Sequence, residues 1–230
     1  MVRRSTERGS ANYHWLQSLH TFSFGNYYDS NHMGFRTLRV INEDRVTGGA
    51  GFPTHPHQNM EIFSYVLSGH LEHKDSMGNR RTLAPGDIQL MSAGTGVTHS
   101  EYNPHPTEEA HFLQIWIQPR ETGLMPSYTE WQPHAAQNES KKVLIISPHG
   151  AEGSAVIHQD ASVYRISLSA DESVDHILND GYGLWLQIIE GSLTLNKIAL
   201  SPGDGASTEK SGAYTIRADT PVEALLFEIA

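Results

Sequence analysis

Short β-strand patterns that recur between turn signals constrain the fold of this chain more than any other feature. Strand patterns include IFSYVLSGHLEHKD, HFLQIWIQP and LWLQIIEGSLTLN, and turn signals include DSMGN and two PGD tripeptides. Strands spaced by about eight to twelve residues between turns are typical of a sandwich or a barrel rather than of βαβ units. The sequence therefore predicts an all-β protein.

Two pairs of similar segments occur in the same order in the two halves of the chain. YVLSGHLEH at 65–73 resembles QIIEGSLTL at 187–195, and TLAPGD at 82–87 resembles ALSPGD at 199–204. A proline-containing connector without strong periodicity follows residue 119. We therefore expect a duplicated β-domain, with domains at 1–120 and 121–230.

The N-terminal half contains two pairs of possible metal ligands. Residues two apart on a strand point to the same face, as do His55 and His57, and again His99 and Glu101. Glu61 keeps the parity of His57 if that strand runs on. Three imidazoles and one carboxylate suit iron, zinc, manganese, nickel or copper better than calcium or magnesium. The sequence predicts one divalent metal site, with Glu101 or Glu61 as its carboxylate.

The repeat predicts that the second half lacks this site. Its offsets align His55, His57, His99 and Glu101 with Ile177, Asn179, Ile216 and Ala218. We therefore expect a structural C-terminal domain without metal ligands. The other histidines, including His70 and His73, are interpreted as surface or hydrogen-bonded residues, and the aromatic residues of 1–36 as core rather than as ligand lining.

Composition excludes several classes of function. A net charge of -10 argues against direct nucleic-acid binding, which depends on Lys and Arg that neutralise phosphates. The chain has no Cys, so disulfides, thiolate metal sites and Cys nucleophiles are excluded. No apolar run is long enough to suggest a membrane span or a signal peptide. We expect a soluble cytoplasmic protein.

Several segments of the chain resemble the motifs of a known family. GAGFPTHPHQNMEIFSYVLSG at 49–69 and GDIQLMSAGTGVTHSEYN at 86–103 resemble the two cupin motifs. HTFSFGNYYD, MGFRTLRVINED, HPHQNMEI, DSMGN, MSAGTGVTHSE and LQIWIQP occur in this order in the pirin family. The resemblance implies a bicupin, with two jelly-roll type β-barrels and metal only in the N-terminal one. Ser92, where many cupins have Pro, and one or two extra residues before His99 depart from the general second motif.

The resemblance also implies a ligand set and an activity. Its ligands correspond to His55, His57, His99 and Glu101, whereas many other cupins use the Glu found here as Glu61. The resemblance implies a quercetin 2,3-dioxygenase that uses O2 as co-substrate. We expect a divalent metal, Fe(II) or else Zn, Mn, Ni, Co or Cu, to hold the flavonol through one or two oxygens. Glu101 or Glu61 would act as general base.

Two other functions are compatible with the sequence. Pirins include a nuclear protein that acts with transcription factors, so a non-enzymatic metal-binding regulator or redox sensor with a protein partner is the alternative. A zinc-dependent sugar-phosphate isomerase ranks last, because few basic residues surround the motifs. We expect a monomer.

Overall fold

The computed structural model describes the backbone of residues 1–230 and every side chain except those of Ala136 and Asn138. The first strands are β1 (Val2–Arg3), β2 (Gly9–Tyr13), β3 (Leu16–His20), β4 (Leu38–Val46), β5 (Gly51–His57), β6 (Glu61–Ser68), β7 (Leu71–Asp75), β8 (Arg80–Leu83), β9 (Ile88–Ser92), β10 (Val97–Tyr102), β11 (Ala110–Ile117) and β12 (Ser127–Trp131). The remaining strands are β13 (Lys142–Ser147), β14 (Ala155–Val156), β15 (Ala161–Leu168), β16 (Ser173–Leu178), β17 (Gly183–Glu190), β18 (Leu193–Leu195), β19 (Ile198–Leu200), β20 (Gly205–Thr208), β21 (Gly212–Ala218) and β22 (Val222–Ile229).

Helical structure is limited to one short α-helix and two single 3₁₀ turns. These are α1 (Ala135–Asn138) and the turns Ser5–Glu7 and Ala151–Gly153. Within the part of the chain that the structure describes, no helix is long and apolar enough to cross a membrane. The all-β prediction is confirmed.

The chain forms two compact units. The N-terminal unit comprises Gly9–Pro133 and Ala155–Gln159, and the C-terminal unit comprises Met1–Arg8, His134–Ser154 and Asp160–Ala230. The predicted domains 1–120 and 121–230 stay a prediction. The compact units differ from these domains, because residues 1–8 belong to the C-terminal unit and residues 121–133 belong to the N-terminal unit. The first residues join the C-terminal unit because β1 pairs with β20.

The N-terminal unit consists of two antiparallel sheets. The larger has the order β12-β9-β6-β11-β4-β3-β2, and the smaller has the order β5-β10-β7-β8. Strand β6 is buried along almost its whole length, whereas β10 alternates buried and exposed residues. This alternation points Val97, His99 and Glu101 to one face of β10, towards the interior.

The C-terminal unit repeats this arrangement. Its smaller sheet has the order β16-β21-β18-β19, and its larger sheet contains β1, β20, β17, β22, β15 and β13 in this order. A core cluster that includes Leu186, Leu193 and Leu226 fills the interior. The two halves of the predicted repeat therefore form similar β-sandwich barrels.

The repeated sequences occupy corresponding places in the two units. The glycine after β6 and the glycine after β17, Gly69 and Gly191, have φ angles of 71° and 74°. A Cβ at either position would collide with the carbonyl oxygen of Glu109 or Pro221, so glycine is required by both conformation and space. The PGD turns precede β9 and β20, which confirms that the two sequence matches mark equivalent turns.

The predicted alignment of the second copy is wrong by one residue in β16. Ile177 is 70% exposed, and Asn179 lies beyond the end of the strand, whereas His176 and Leu178 are buried. A slip of one residue moves a side chain to the opposite face of a sheet, and short repeat matches do not set the loop lengths that decide this register. Ile216 and Ala218 are buried, but the alignment is also wrong by two residues in β21. Ile216 pairs with Leu195 as Glu101 pairs with His73, so Ile216 rather than Ala218 is the counterpart of Glu101.

Strand β5 lies at the edge of the smaller N-terminal sheet, next to β10. It carries two prolines, Pro53 and Pro56. Proline lacks the N–H that a central strand needs, and it is therefore tolerated in sheets mainly at edges. The edge position allows the HPH sequence to form a strand.

Candidate metal centre

The structure brings the three predicted histidines together. His55 on β5 faces His99 on β10 directly in the register of the antiparallel pair. The Nε2 atoms of these two residues are 3.0 Å apart. One ring nitrogen from each of His55, His57 and His99 falls within a group whose members are all within 4.8 Å of one another.

The hydrogen bonds of His55 show which ring nitrogen is available to a cation. Its Nδ1 lies 2.8 Å from the carbonyl oxygen of Pro53, so Nδ1 carries the proton and donates it, and Nε2 keeps its lone pair. Two nitrogens that each lie about 2.1 Å from one metal, at a right angle, are about 3.0 Å apart. The observed separation of His55 Nε2 and His99 Nε2 fits this value.

The other two histidines are also suited to bind a metal. Among the described residues, no hydrogen-bond partner meets the buried Nε2 of His57. Burial, reinforced by the neighbouring imidazoles, lowers the pKa of His57 to about 4 and that of His99 to about 3. Both rings are therefore neutral at pH 7, as ligation requires. The donor set fits a divalent transition metal.

Glu101 is held beside this cluster by three hydrogen bonds. Its Oε1 accepts from Ser64 Oγ at 2.8 Å and from Gln89 Nε2 at 3.1 Å, and its Oε2 accepts from Gln114 Nε2 at 2.8 Å. The carboxylate is 1% exposed and belongs to a second group of potential ligands, together with His99 and His73. His99 therefore belongs to both groups.

Glu61 does not belong to the group formed by His55, His57 and His99. Strand β5 ends at His57, and Asn59 has a φ of 51°, so the strand does not run on and the parity of Glu61 with His57 is lost. Glu61 instead accepts a hydrogen bond from Ser92 Oγ at 2.6 Å, and its Oε2 lies 3.5 Å from His158 Nδ1. Neither group of potential ligands in the described chain includes Glu61.

Sequence reasoning missed His73 and Asp75. His73 is fully buried, its Nδ1 is 3.4 Å from His99 Nδ1, and its Nε2 is 3.2 Å from Asp75 Oδ2. The interpretation of His73 as a surface or hydrogen-bonded residue is correct only in its second part. The H-x-D spacing on β7 was the available signal, because it also places both side chains on one face.

A cavity of about 680 Å³ adjoins the candidate metal centre. His55 and Glu101 contribute to its wall. Its aromatic lining consists of Tyr13, Trp15, Phe24, Tyr27, Phe52 and Trp116. Several of these residues come from the N-terminal segment, where the sequence favours core packing, and the structure shows that their rings line this cavity.

Asp44 gives the cavity a second carboxyl group. It lines the cavity from β4 and is 3% exposed. Burial raises its pKa to about 7, opposed by a hydrogen bond from Ser18 and reinforced by the charge of Glu101. A carboxyl with this pKa can exchange a proton near neutral pH, which is typical of functional sites.

The second unit has a different cluster where the repeat would place a metal. His176 Nδ1 lies 2.8 Å from Lys142 Nζ, and His176 Nε2 lies 2.8 Å from Glu228 Oε2. An ammonium group is thus in contact with the buried imidazole. Over the described residues, groups of three or more potential ligands occur in the N-terminal unit alone.

Comparison with known proteins agrees with the fold and the centre. A family model described as Pirin matches residues 1–117, and a model described as the quercetinase C-terminal cupin domain matches residues 144–229. The chain is 47% identical over 228 residues to a protein of Escherichia coli K12 named quercetin 2,3-dioxygenase, covering 99% of this chain and 97% of that protein.

Two solved structures from Escherichia coli match over 100% of this chain. The crystal structure of YhhW has a TM-score of 0.96 at 47% identity, with 97% of that chain covered. The structure of bacterial pirin YhhW in complex with nickel(II) has a TM-score of 0.95 at 46% identity, with 98% covered. On its sequence, its two cupin barrels and its histidine cluster, this chain belongs to the pirin family.

Proposed function

We propose that this chain is a metal-dependent dioxygenase that cleaves flavonols such as quercetin with O2. The observation that carries the proposal is the convergence of His55, His57 and His99 beside a cavity with an aromatic wall. The relative from Escherichia coli K12 that is named quercetin 2,3-dioxygenase supports the same reaction. Quercetin would be opened across its central ring, with release of carbon monoxide.

His55, His57 and His99 would hold the metal, with Glu101 as the fourth ligand. We infer Fe(II) as the resident ion from its reactivity towards O2, and the nickel complex of a pirin relative supports a divalent site. When bound, the cation acts as a Lewis acid that lowers the pKa of the flavonol hydroxyl and orients both substrates.

The cavity is suited to a flat polyphenol. Its volume of about 680 Å³ lies within the range of roughly 300–1,000 Å³ that is usual for small-molecule sites. Trp15 and Phe52 meet edge to face with ring centroids 5.1 Å apart, as do Phe24 and Trp116 at 5.4 Å. These rings offer flat apolar contact to an aromatic ligand.

Two carboxyl groups can manage the proton of the flavonol hydroxyl. Glu101 lines the cavity, and hydrogen bonds from Ser64, Gln89 and Gln114 fix its orientation, so it would accept this proton as general base. Asp44 lines the same cavity, and its pKa of about 7 lets it exchange a proton with solvent or product. Glu61 has no place in this pathway because it is bonded to Ser92 and lies outside the cavity lining.

Oxygen consumption measured together with loss of flavonol absorbance tests the proposal. The protein should be stripped of metal and reloaded separately with Fe(II), Ni(II), Mn(II), Co(II), Cu(II) and Zn(II). Turnover with at least one ion, abolished in His57→Ala and retained in the exposed control His70→Ala, is expected. Absence of turnover with all six ions would refute it, and a partner retained in a pull-down only with metal would then favour the regulatory alternative.

A further inference from the structure

The buried side of His99 faces a second histidine and an aspartate. His99 and Asp75 face each other in the register of β10 and β7, and so do Glu101 and His73. The side chains of His73 and Asp75 are both 0% exposed, and His99 is 1% exposed. Bulk water therefore does not reach His99 Nδ1, whose neighbouring polar atom is His73 Nδ1 at 3.4 Å.

The hydrogen bonds of Asp75 determine its role. Its Oδ1 accepts from the backbone N–H groups of Met77 at 2.9 Å and Asn79 at 3.0 Å. Its Oδ2 accepts from Asn79 Nδ2 at 2.8 Å and faces His73 Nε2 at 3.2 Å. An ionised carboxylate only accepts hydrogen bonds, so His73 must carry its proton on Nε2 and donate it to Asp75.

The remaining protons follow from this one. A neutral His73 with its proton on Nε2 has a lone pair on Nδ1, and this lone pair can accept only if His99 Nδ1 carries a proton. His99 then has its lone pair on Nε2, the atom 3.0 Å from His55 Nε2. That nitrogen is the one that must be unprotonated to bind a metal.

We propose that Asp75 and His73 are positioning residues that hold the proton of His99 on Nδ1 and so present its Nε2 to the metal. The ring of Tyr128 stacks on His73 with centroids 5.2 Å apart and planes inclined by 27°, which holds the His73 ring in place. Groups that accept the second N–H of a ligating histidine set its tautomer and its orientation. The inference rests on the proposed metal site, but the tautomer it assigns exists without metal.

Asp75→Asn provides the sharpest test because it reverses one hydrogen bond. The two backbone N–H groups keep the amide oxygen at the position of Oδ1, so the amide nitrogen faces His73 Nε2 and donates to it. The side-chain amide of Asn79, which donates to Oδ2 in the wild type, turns to present its oxygen to the new amide nitrogen. His73 then carries its proton on Nδ1, and the proton of His99 is displaced to Nε2. We expect nickel and zinc affinity to fall by about 10–100-fold. Asp87→Asn is the matched control, a buried turn aspartate that accepts the Ala84 N–H at 2.9 Å.

Two substitutions of His73 separate hydrogen bonding from packing. His73→Asn keeps an acceptor at the position of Nδ1 and should retain metal affinity within about threefold, whereas His73→Leu should lose about as much as Asp75→Asn. These variants leave the Asp75 turn intact, so they also serve if Asp75→Asn fails to fold. Equal affinity in His73→Asn and His73→Leu would overturn the proposal.

Nitrogen-15 shifts of the histidine rings in the metal-free protein test the tautomers directly. We expect a protonated Nδ1 on His99 and a protonated Nε2 on His73 in the wild type, and the reverse in Asp75→Asn. A protonated Nε2 on His99 in the wild type would overturn the proposal, as would a metal-bound His73 Nδ1 in the zinc form. A wild type that binds no metal would refute the proposed function while leaving this measurement to decide the hydrogen-bond chain.

Discussion

His99 Nε2 and His55 Nε2 face each other at 3.0 Å across a directly opposed pair of β10 and β5 residues. The proton of His55 is held on its other nitrogen by the Pro53 carbonyl. Two opposed lone pairs repel at this distance, and a shared cation converts the repulsion into two bonds. Metal binding should therefore stabilise the fold as well as enable chemistry.

Removal of one imidazole should abolish tight metal binding. His57→Ala removes a proposed ligand whose Nε2 is buried and has no hydrogen-bond partner in the described chain. After dialysis, we expect the metal content to fall from one ion per chain to less than about 0.1 ion per chain. The remaining donors leave the cation undercoordinated. Metal analysis of His57→Ala against the exposed control His70→Ala measures this. Full occupancy in His57→Ala would contradict the assignment.

Glu101 and Glu61 should respond differently to the same chemical change. Glu101→Gln removes the charge beside His99 and should lower kcat by about 10²–10⁴-fold, the usual range for loss of a general base. Glu61→Gln keeps an acceptor for Ser92 Oγ and should leave kcat within about twofold, while lowering the free energy of unfolding by about 1–3 kcal/mol. Steady-state kinetics and urea denaturation on both variants distinguish the two roles, and a Glu61→Gln enzyme without activity would restore Glu61 as a candidate.

Asp44 should make the metal-free protein less stable as the pH rises. Its folded pKa of about 7 exceeds the ordinary value of 3.8, so the folded state binds a proton that the unfolded state has lost between these values. The contribution of Asp44 to stability is then fully present below about pH 4, is lost as the pH rises to about 7 and is constant above that. The full difference is about 4 kcal/mol at about 1.36 kcal/mol per pKa unit.

Asp44→Asn removes this titration. We expect the variant to gain stability over the wild type between pH 4 and pH 8 in urea denaturation of the metal-free proteins. A difference between variant and wild type that does not change with pH would show that Asp44 has an ordinary pKa.

The aromatic wall should determine substrate affinity. Phe24→Leu removes a ring that meets Trp116 at 5.4 Å in the cavity, and aromatic pairs contribute about 1 kcal/mol. We expect KM for quercetin to rise about fivefold with unchanged metal content. Tyr28→Leu is the matched control, since Tyr28 lies in the same segment but is 74% exposed and outside the cavity lining. Equal KM values for the two variants would exclude the cavity as the flavonol site.

Asp204 should stabilise the packing of the segment that follows β1 within the C-terminal unit. It accepts from the Ser5 N–H at 2.7 Å and from Arg4 Nη1 at 2.7 Å. Although burial opposes ionisation, these bonds hold its pKa below the ordinary value of 3.8, so its contribution is present above that pH and is lost as the pH falls through the folded pKa. Asp204→Ala should lower the free energy of unfolding at pH 7 by about 1–3 kcal/mol. The exposed control Asp180→Ala should change the free energy of unfolding by less than about 0.5 kcal/mol. An equal decrease in both variants would contradict this role of Asp204.

The fold was predictable because its signals are local. Each short segment by itself shows the alternation of apolar residues that marks a strand. Each also shows the glycine that marks a turn, as at Gly69 and Gly191. The pairing of His55 with His57, and of His99 with Glu101, also needed only the parity of one strand. Those elements of the site could therefore be predicted.

The rest depends on contacts between distant segments. The parity of Glu61 with His57 does not hold because Asn59, a residue with positive φ, lies between the two strands. His73 was missed because its contact with His99 comes from the cross-strand register of β7 and β10, which the H-x-D spacing on β7 alone does not reveal. The cavity lining by Trp15 and Phe24 comes from a segment without periodicity, so only the folded chain shows which face these rings present.

Pro53 and Pro56 give the strand of His55 and His57 a property separate from ligation. An exposed edge strand is a template on which another polypeptide can extend the sheet, and this is a common start of aggregation. A proline has no N–H, so neither of these positions can donate a hydrogen bond to an added strand. A newly made chain that has not yet acquired its metal is thus protected from adding a foreign strand beside the centre. The same edge strand can therefore contribute metal ligands and still pair poorly with another peptide strand.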